Sequence, residues 1–448
     1  LILAVGLVLV GILVLRLHAF LALLVAAFAV ASLTPRETIQ RLADAKVIAG
    51  DWTMERGEAF ALSTPAARVA EGFGETASSI GILIAMAAII GKCLLDSGGA
   101  DRIVRSAVKL LGQSRAALAF LGSGFILAIP VFFDTVFYLI MPLGKAMWLR
   151  TRRDYLLYLL AIVAGATMAH SLVPPTPGPL LVAGALGVDL VTMGLAGLVV
   201  GSIAALGGYG FARFMNAKMD IPLRDSVELS LEQLEAVIRK PDAELPPLWL
   251  ALTPIVLPFL LIASDAVLST YRAALPPGEL EPIWVSALAP LITNLGDKNV
   301  ALTIAAGIAM STLLARPGID RRTLADAVRA ALSSGGVIIL ITSAGGAFGA
   351  TIRQGGVGQS IEALAGQGSP ALILPLAFLV TALIRSAQGS ATVAMITAVG
   401  VLAPLADSGT LGCHPVYLAM AIGCGSKPVA WMVDSGFWVI LQMSGLTE

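Results

Sequence analysis

Apolar residues along this chain come in long blocks rather than in the two-residue alternation of half-exposed strands. Blocks of spanning or near-spanning length lie at about 1 to 15, 18 to 33, 78 to 95, 154 to 174, 190 to 212, 248 to 268, 299 to 315, 333 to 352 and 414 to 427. A helix needs roughly 20 residues to cross a hydrocarbon core about 30 Å thick. The pattern therefore predicts an all-α polytopic membrane protein with about 10 to 12 membrane helices in total, the shorter apolar pieces included. Two polar intervals stand out. Residues 34 to 77 form a mixed-charge loop that ends in an amphipathic stretch, Ala66 to Glu75. Residues 213 to 247 hold the longest charged segment, in which helix-like LSLEQLEAVIRK is stopped by Pro241. That second interval is the natural linker between two halves. The apolar run from Leu1 to Leu15 reads as a membrane helix on a trimmed start rather than a signal peptide, because no small-residue cleavage site follows.

The blocks recur at an offset of 258 residues, where Gly91, Gly98, Gly165, Gly178 and Gly187 meet Gly349, Gly356, Gly423, Gly436 and Gly445, and the run Leu118 to Leu121 meets Leu376 to Leu379. Each copy also breaks its apolar run at matching places, at Asp134-Thr135 and Pro174 to Pro179 in the first and at Gln388 to Thr392 and Lys427 to Ser435 in the second. Paired breaks of this kind at bilayer depth point to the binding site of a transporter. The predicted organisation is N-terminal helices and an external loop (1–63), a first repeat (64–212) with a hairpin (116–144) and a broken helix (154–188), the cytoplasmic linker (213–247), linking membrane helices (248–320), and a second repeat (321–448) with a hairpin (371–405) and a broken helix (414–445).

Charge orients these pieces. Eighteen of the Lys and Arg residues fall in Arg16, the 102–115 and 145–153 groups, the 213–240 segment and the 316–329 group, against eight in the complementary loops, so the first set is placed in the cytoplasm. Both flanks of 116–144 are then cytoplasmic, and the segment must enter the membrane and return. Its arms of 14 and 10 residues would rise only about 21 and 15 Å, so a re-entrant hairpin with Asp134 near the tip fits better than two full spans. The flanks of 371–405 carry almost no basic residues, and that hairpin is expected to enter from the opposite face.

Composition narrows the functions further. With 57% hydrophobic and 13% charged residues, and 29 basic residues balancing 29 acidic ones, neither a nucleic-acid groove nor a polyanion partner is indicated. Cys93, Cys413 and Cys424 are widely separated, which excludes a disulfide framework or a CxxC metal pair. No metal and no cofactor is expected. An enzyme is not supported either: HExxH and GxSxG are absent, and Met86 stands where a P-loop ending in Gly91-Lys92 would need its first glycine.

The candidate chemistry sits at the breaks. PPTPGP at 174–179 cannot continue a helix. The half-helix that follows aims its positive end and free amides, Gly178 among them, at the gap, which suits a carboxylate. SKPVAWMVDSG at 426–436, including Ser435, is expected to do the same in the second copy. Asp134 is an acid in an otherwise charge-free hairpin and suits a proton carrier, or else caps the tip; Asp434 has the same two readings. His170 titrates in the range useful for proton coupling, or is a satisfied core histidine. Arg385 either clamps a substrate carboxylate through its planar fork or bridges to one of these aspartates. Lys427 snorkels, caps a half-helix or joins the site. Gln388, Gly389, Ser390, Thr392, Thr135 and Thr176 offer neutral donors and acceptors that match a polyhydroxylated chain, although small polar residues also serve helix packing.

The strings IPVFFDTVFYLIMPL, HSLVPPTPGP, RSAQGSATVAMITAVG and VDSGFWVILQMSGLTE resemble those of the gluconate permease family of sugar-acid:proton symporters, co-linearly over about 78 to 212 and 320 to 448. The resemblance implies import of gluconate or a related hydroxy acid across the bacterial inner membrane, driven by protons. It also implies kinship with a wider ion transporter superfamily whose members are dimers that move two re-entrant hairpins in an elevator motion. Where relatives usually read Asn-Asp-Ser-Gly-Phe-Trp, this chain has Val433 before Asp434, and the missing amide bears on which acid is carried. A sodium-coupled carboxylate transporter of similar architecture is the alternative, since the carbonyls and hydroxyls of broken helices serve sodium equally well.

Overall fold

The computed structural model describes residues 6–8, 10–48, 50–219, 221–223, 241–274, 282–355, 372–388, 390–403, 411–428 and 434–446. Among these the secondary structure is helical. The helices are α1 (Ala19–Leu33), α2 (Arg36–Ile48), α3 (Met54–Ala61), α4 (Pro65–Asp96), α5 (Gly99–Leu111), α6 (Ala116–Leu127), α7 (Phe133–Thr151), α8 (Tyr155–Leu172), α9 (Pro177–Ala185), α10 (Leu190–Lys218), α11 (Leu248–Ala274), α12 (Ile283–Gly296), α13 (Lys298–Leu314), α14 (Arg321–Gln354), α15 (Ile373–Gln388), α16 (Ala391–Leu402), α17 (Pro415–Gly425) and α18 (Ser435–Ser444). The linker residues 224–240 lie outside the described residues.

Among the described residues, five stretches are long and apolar enough to cross a membrane: α4, α8 with α9, α10, Leu248–Ser269 of α11, and α14. Two strongly bent pairs, α1 with α2 at 93° and α5 with α6 at 112°, raise the number to seven if each counts as one span. The 10 to 12 read from the apolar blocks include the shorter apolar pieces. The difference lies in α12, α13, α15, α16 and α17, which are apolar but only 10–17 residues long. A helix of that length rises about 15 to 26 Å, short of the hydrocarbon core.

Local sequence explains most element ends. Pro35 follows α1 and cannot extend it. The Thr53 hydroxyl accepts from the Arg56 amide at 3.3 Å and caps α3, and Thr64 accepts from the Ala67 amide at 3.1 Å ahead of α4. The amphipathic stretch 66–75, read as the end of a loop, forms the opening turns of α4 and continues into the apolar span. Gly98 and Gly112, both at φ +79°, bracket α5 with left-handed turns that a side chain would strain. The first hairpin arm, α6, has 12 residues, but its second, α7, runs 19 residues to Thr151, beyond the 144 at which the sequence reading closes it.

The chain forms two compact units built from discontinuous segments: Leu1–Gly81, Pro177–Asp189 and Gly336–Ser435 in the first, and Ile82–Thr176, Leu190–Gly335 and Gly436–Glu448 in the second. The boundaries fall inside α4, inside α14, at the break Thr176/Pro177, ahead of α10 at Asp189/Leu190, and after the first residue of α18 at Ser435/Gly436. The first unit thus holds α9 with α15, α16 and α17, and the second holds α6, α7 and α8 with all but the first residue of α18.

In the first unit α15 packs on α17 and α16, and α9 packs on α16 and α17. The α2–α3 pair closes on its own apolar cluster of Ile39, Ala43 and Phe60, with Trp52 against the Phe60 ring at 4.9 Å. Arg68 in α4 is 5% exposed and donates to the carbonyls of Ser63 at 2.8 Å and Ala31 at 2.9 Å, which ties the start of α4 to the end of α1. Removing it strands two carbonyls, each costing about 1–3 kcal/mol. Arg68→Met is expected to lower the thermal midpoint of the purified protein clearly, and Arg68→Lys to recover little of the loss, because an ammonium lacks the guanidinium's fork.

In the second unit α8 packs on α6, α7 and α10, while α11 packs on α12, α13 and α5. Arg102 of α5 binds the far end of the linker, donating to the carbonyls of Pro246 at 2.7 Å, Asp242 at 2.5 Å and Leu245 at 3.2 Å, and Arg105 pairs with the Asp242 carboxylate at 2.9 Å. The Tyr155 hydroxyl donates to the Ser444 carbonyl at 2.6 Å and so ties the start of α8 to the end of α18.

Candidate functional site

In the first unit, α17 stops at Gly425 and Pro428 follows three residues later, so the helix cannot resume directly. The stop is packed against α15. A Cβ on Gly425 would lie 2.5 Å from the Phe378 carbonyl oxygen and 2.8 Å from the Thr381 Cβ, so only a glycine allows this approach. One turn beyond Thr381 comes Arg385, 5% exposed. Its Nε donates to the carbonyl of the fully buried Ser426 at 3.1 Å, and its Nη2 donates to the Asp434 carboxylate. The Ser426 hydroxyl turns back to the Gly423 carbonyl at 2.7 Å. One guanidinium therefore closes both sides of the α17–α18 break: a carbonyl at the end of one half-helix and a carboxylate at the start of the next. Of the two readings of Arg385, the structure shows the bridge to an aspartate.

Two helix N-termini open nearby in the same unit. α16 starts at Ala391 with the Ser390 hydroxyl accepting from the Val393 amide at 3.3 Å. α9 starts at Pro177, and a Cβ on Gly178 would collide with Met395 and stand 3.7 Å from the Thr392 Cα. Gly178 is thus a packing glycine that brings the first turn of α9 onto the first turn of α16. Both ends carry amides without intrahelical acceptors, which favour negative charge. Lys427 follows Ser426, partly buried, with its backbone amide donating to the Cys424 carbonyl at 3.1 Å. The side chains of Gln388 and Ser435, and all of Gly389 and Val433, lie outside the described residues.

The second unit holds the other candidates. α6 ends at Leu127 and α7 begins at Phe133, with Asp134 and Thr135 partly buried in its first turn. The Pro130 turn is backed by α4, where a Cβ on Gly91 would meet the Pro130 carbonyl at 3.2 Å. The ring of Phe132 meets the ring of His170, in the last turn of α8, edge-on at 5.7 Å. Thr176 is buried and donates to the Val173 carbonyl at 2.7 Å, so its proton is committed to closing α8 and its oxygen remains an acceptor. The Pro174–Pro175 peptide is cis.

The candidate residues thus divide. Gly178, Arg385, Ser390, Thr392 and Asp434 belong to the first unit, and Asp134, Thr135, His170 and Thr176 to the second. Ser426 and Met395 were passed over in the sequence, because a buried carbonyl acceptor and a knob against a glycine leave no mark on composition. Asp265 was also passed over, although it is a lone acid in the apolar block 248–268. Its side chain packs against Gly296, and its Oδ1 and that of Asn299 are shielded from solvent without a hydrogen-bond donor among the described residues.

Residues 58–448 match the profile of the GntP family permeases. The chain is 33% identical over 384 residues to an uncharacterized permease of Haemophilus influenzae, a match covering 85% of this chain and 77% of the relative. It is 32% identical to a gluconate permease of Pseudomonas aeruginosa, covering 83% and 79% of the two chains, and 30% identical to the inner membrane permease YgbN of Escherichia coli, covering 87% and 85%. In fold it is similar to the crystal structure of the Alcanivorax borkumensis YdaH transporter, with a TM-score of 0.55 at 16% identity over 84% of this chain and 79% of that one. The apolar helices, the broken spans and the match across nearly the whole chain lead to one conclusion: this multi-pass inner-membrane protein belongs to the GntP family of permeases.

Proposed function

We propose that this permease is a secondary active transporter that imports gluconate, or a related sugar acid, together with protons. The observation that carries the reading is the Arg385–Asp434 pair closed over the Ser426 carbonyl beside the paired N-termini of α9 and α16, in a chain with a relative named gluconate permease. Two helix N-termini beside the buried Arg385 attract a carboxylate, and the hydroxyls of Ser390 and Thr392 and the amide of Gln388 match a polyol chain. Asp434, held by Arg385, acts as a counter-ion. Asp134, with His170 as its companion in the second unit, is then the first candidate for the proton.

An inverted repeat fits several observations. α4 and α14, the opening spans of the two copies, run antiparallel where they pack: in the first unit Thr76 lies where a Cβ on Gly346 would stand, and in the second a Cβ on Gly335 would be 3.2 Å from that of Ala88. At the 258-residue offset these two contacts nearly exchange. In both copies a glycine of the first half-helix also rests on a carbonyl of the first hairpin arm, Gly165 on Leu121 and Gly425 on Phe378. A homodimer working by an elevator motion is part of this reading.

With one proton per monocarboxylate the cycle moves no net charge, so a pH gradient alone drives it. Each pH unit is worth about 1.4 kcal/mol, or tenfold accumulation. Proteoliposomes are expected to concentrate radiolabelled gluconate about tenfold per pH unit in sodium-free buffer and to lose the gradient with a protonophore; a strict sodium requirement would select the sodium-coupled alternative. Asp134→Asn is expected to abolish accumulation while sparing counterflow exchange. Full accumulation by that variant would remove Asp134 from the proton path.

A further inference from the structure

α5 divides its surface between apolar side chains and cations. Ile103, Val104, Ala107, Val108, Leu110 and Leu111 recur at the spacing of one helical face, and Arg102, Arg105 and Lys109 fall on the opposite one. The apolar face is covered at its start, where Ile103 and Val104 are buried and the helix packs on α6 and α11. At its end it runs off the protein, and Leu110 is 85% exposed. The cations divide in the same way. Arg102 and Arg105 are held by carbonyls and the Asp242 carboxylate at the far end of the linker, whereas Lys109 and Arg115 are exposed and form no ion pair among the described residues. No acid occurs between Asp101 and Asp134. An open leucine flanked by two exposed cations is thus left at the elbow where the chain, at Gly112, turns by 112° from α5 into α6.

We propose that the elbow between α5 and α6 binds anionic phospholipid of the cytoplasmic leaflet, with Leu110 among the acyl chains and Lys109 and Arg115 on the headgroup phosphate. α6 contains no charged residue and forms the first arm of the hairpin, so a helix set at 112° to it lies close to the membrane plane. The elbow also belongs to the basic set that the charge pattern assigns to the cytoplasm. An amphipathic helix in that plane seats its apolar face about 5–10 Å into the boundary between headgroups and acyl chains. The other arm of the hairpin ends alike: just past α7 the Arg152 guanidinium lies over the Trp148 ring at 5.2 Å, an aromatic and cation pair suited to the interface. A lipid satisfies both layers of the elbow at once, the leucine through its chains and the cations through its phosphate. Bound there, it holds the foot of the hairpin at the cytoplasmic face, whichever acid is carried.

A bimane label on the Leu110→Cys variant reports what covers the elbow in proteoliposomes of the full chain. The background carries Cys413→Ser and Cys424→Ala, which leaves only the buried Cys93. Doxyl-labelled phosphatidylglycerol is expected to quench the label at least about fivefold more effectively than doxyl-labelled phosphatidylcholine, the preference that one cation near an anionic surface supplies, and aqueous iodide to quench it weakly. Lys109→Gln with Arg115→Gln is expected to bring the two lipids level. Quenching by iodide and not by lipid would put the elbow in water, and protection from both would put it under protein; either result overturns the proposal. So does equal quenching by the two lipids with both cations in place. Should the cysteine background fail to give monodisperse protein, the native chain decides. Phosphatidylglycerol added to its detergent micelles is expected to raise the thermal midpoint, Lys109→Gln with Arg115→Gln to lose part of that rise, and an undiminished rise would overturn the assignment.

Discussion

Gly165→Val is expected to prevent the second unit from assembling, with little monodisperse protein recovered and a thermal midpoint far below that of the wild type. A Cβ at position 165 would run into the Leu121 carbonyl oxygen and lie 2.9 Å from the carbonyl carbon and 3.1 Å from the Phe125 amide nitrogen. These are backbone atoms of α6, so no rotamer change relieves the clash. α6 and α8 must separate, and the contact is continued by Gly124, where a Cβ would stand 3.2 Å from the Ile162 carbonyl. In a bilayer such close approach, rather than hydrophobic burial, is the main source of helix adhesion. Overpacking alone typically costs 1–3 kcal/mol, and a backbone collision in the middle of a helix pair should cost at least about 3 kcal/mol. Gly122, also in α6, has open space around its Cβ position. Gly122→Ala is expected to be neutral or to stabilise by up to about 1 kcal/mol through helix propensity, whereas Gly165→Ala should already destabilise. Equal midpoints for the two alanine variants would show that the α6–α8 approach is not what holds this unit together.

Arg385→Met should produce the second large effect. It removes the donor to the Ser426 carbonyl and leaves the Asp434 carboxylate without its guanidinium in a partly buried position. Breaking a buried pair from one side costs about 3–5 kcal/mol, because the remaining charge is uncompensated. The double variant Arg385→Met, Asp434→Leu should recover most of that loss, since two apolar side chains replace both charged partners and leave no charge unpaired. A double-mutant cycle on thermal midpoints measures the coupling directly. Binding follows a different course. The single variant should lose ligand affinity together with the geometry of the α17–α18 break, and the double variant should recover stability without recovering wild-type uptake. If Arg385→Met were as stable as the wild type, the pair would not be what closes the break.

The breaks were legible in the chain because their causes are local. Proline cannot donate to a helix; single prolines such as Pro254 and Pro258 are carried inside α11, but the clustered prolines of PPTPGP, and Pro428 just after the glycine that ends α17, coincide with breaks. Ser390 reads in the sequence only as a ligand or packing residue, yet its hydroxyl accepts from the Val393 amide and caps α16. The family resemblance was equally legible, since it rests on strings of residues in order. Other features were not. The opening of α4 reads as a loop because its residues are polar, yet helix continuity is decided by what the far end packs against, and Gly72 and Thr76 find α14. Which of the shorter apolar helices cross the membrane was not legible either, because apolar composition does not record where a helix stops.

What the sequence by itself determined was the class of the protein, the places where its helices must stop, and the residue types gathered at those stops. Each follows from the chemistry of a short window, the apolarity of a block or the missing donor of a proline. Only the tertiary structure decided that the chain changes unit at Thr176/Pro177 and Ser435/Gly436, that Gly178 is a seat for Met395, and that Arg385 answers to Asp434 across 49 residues of chain. Such choices depend on contacts between segments far apart in the sequence, where a guanidinium takes whichever carboxylate the packing of glycines brings within reach.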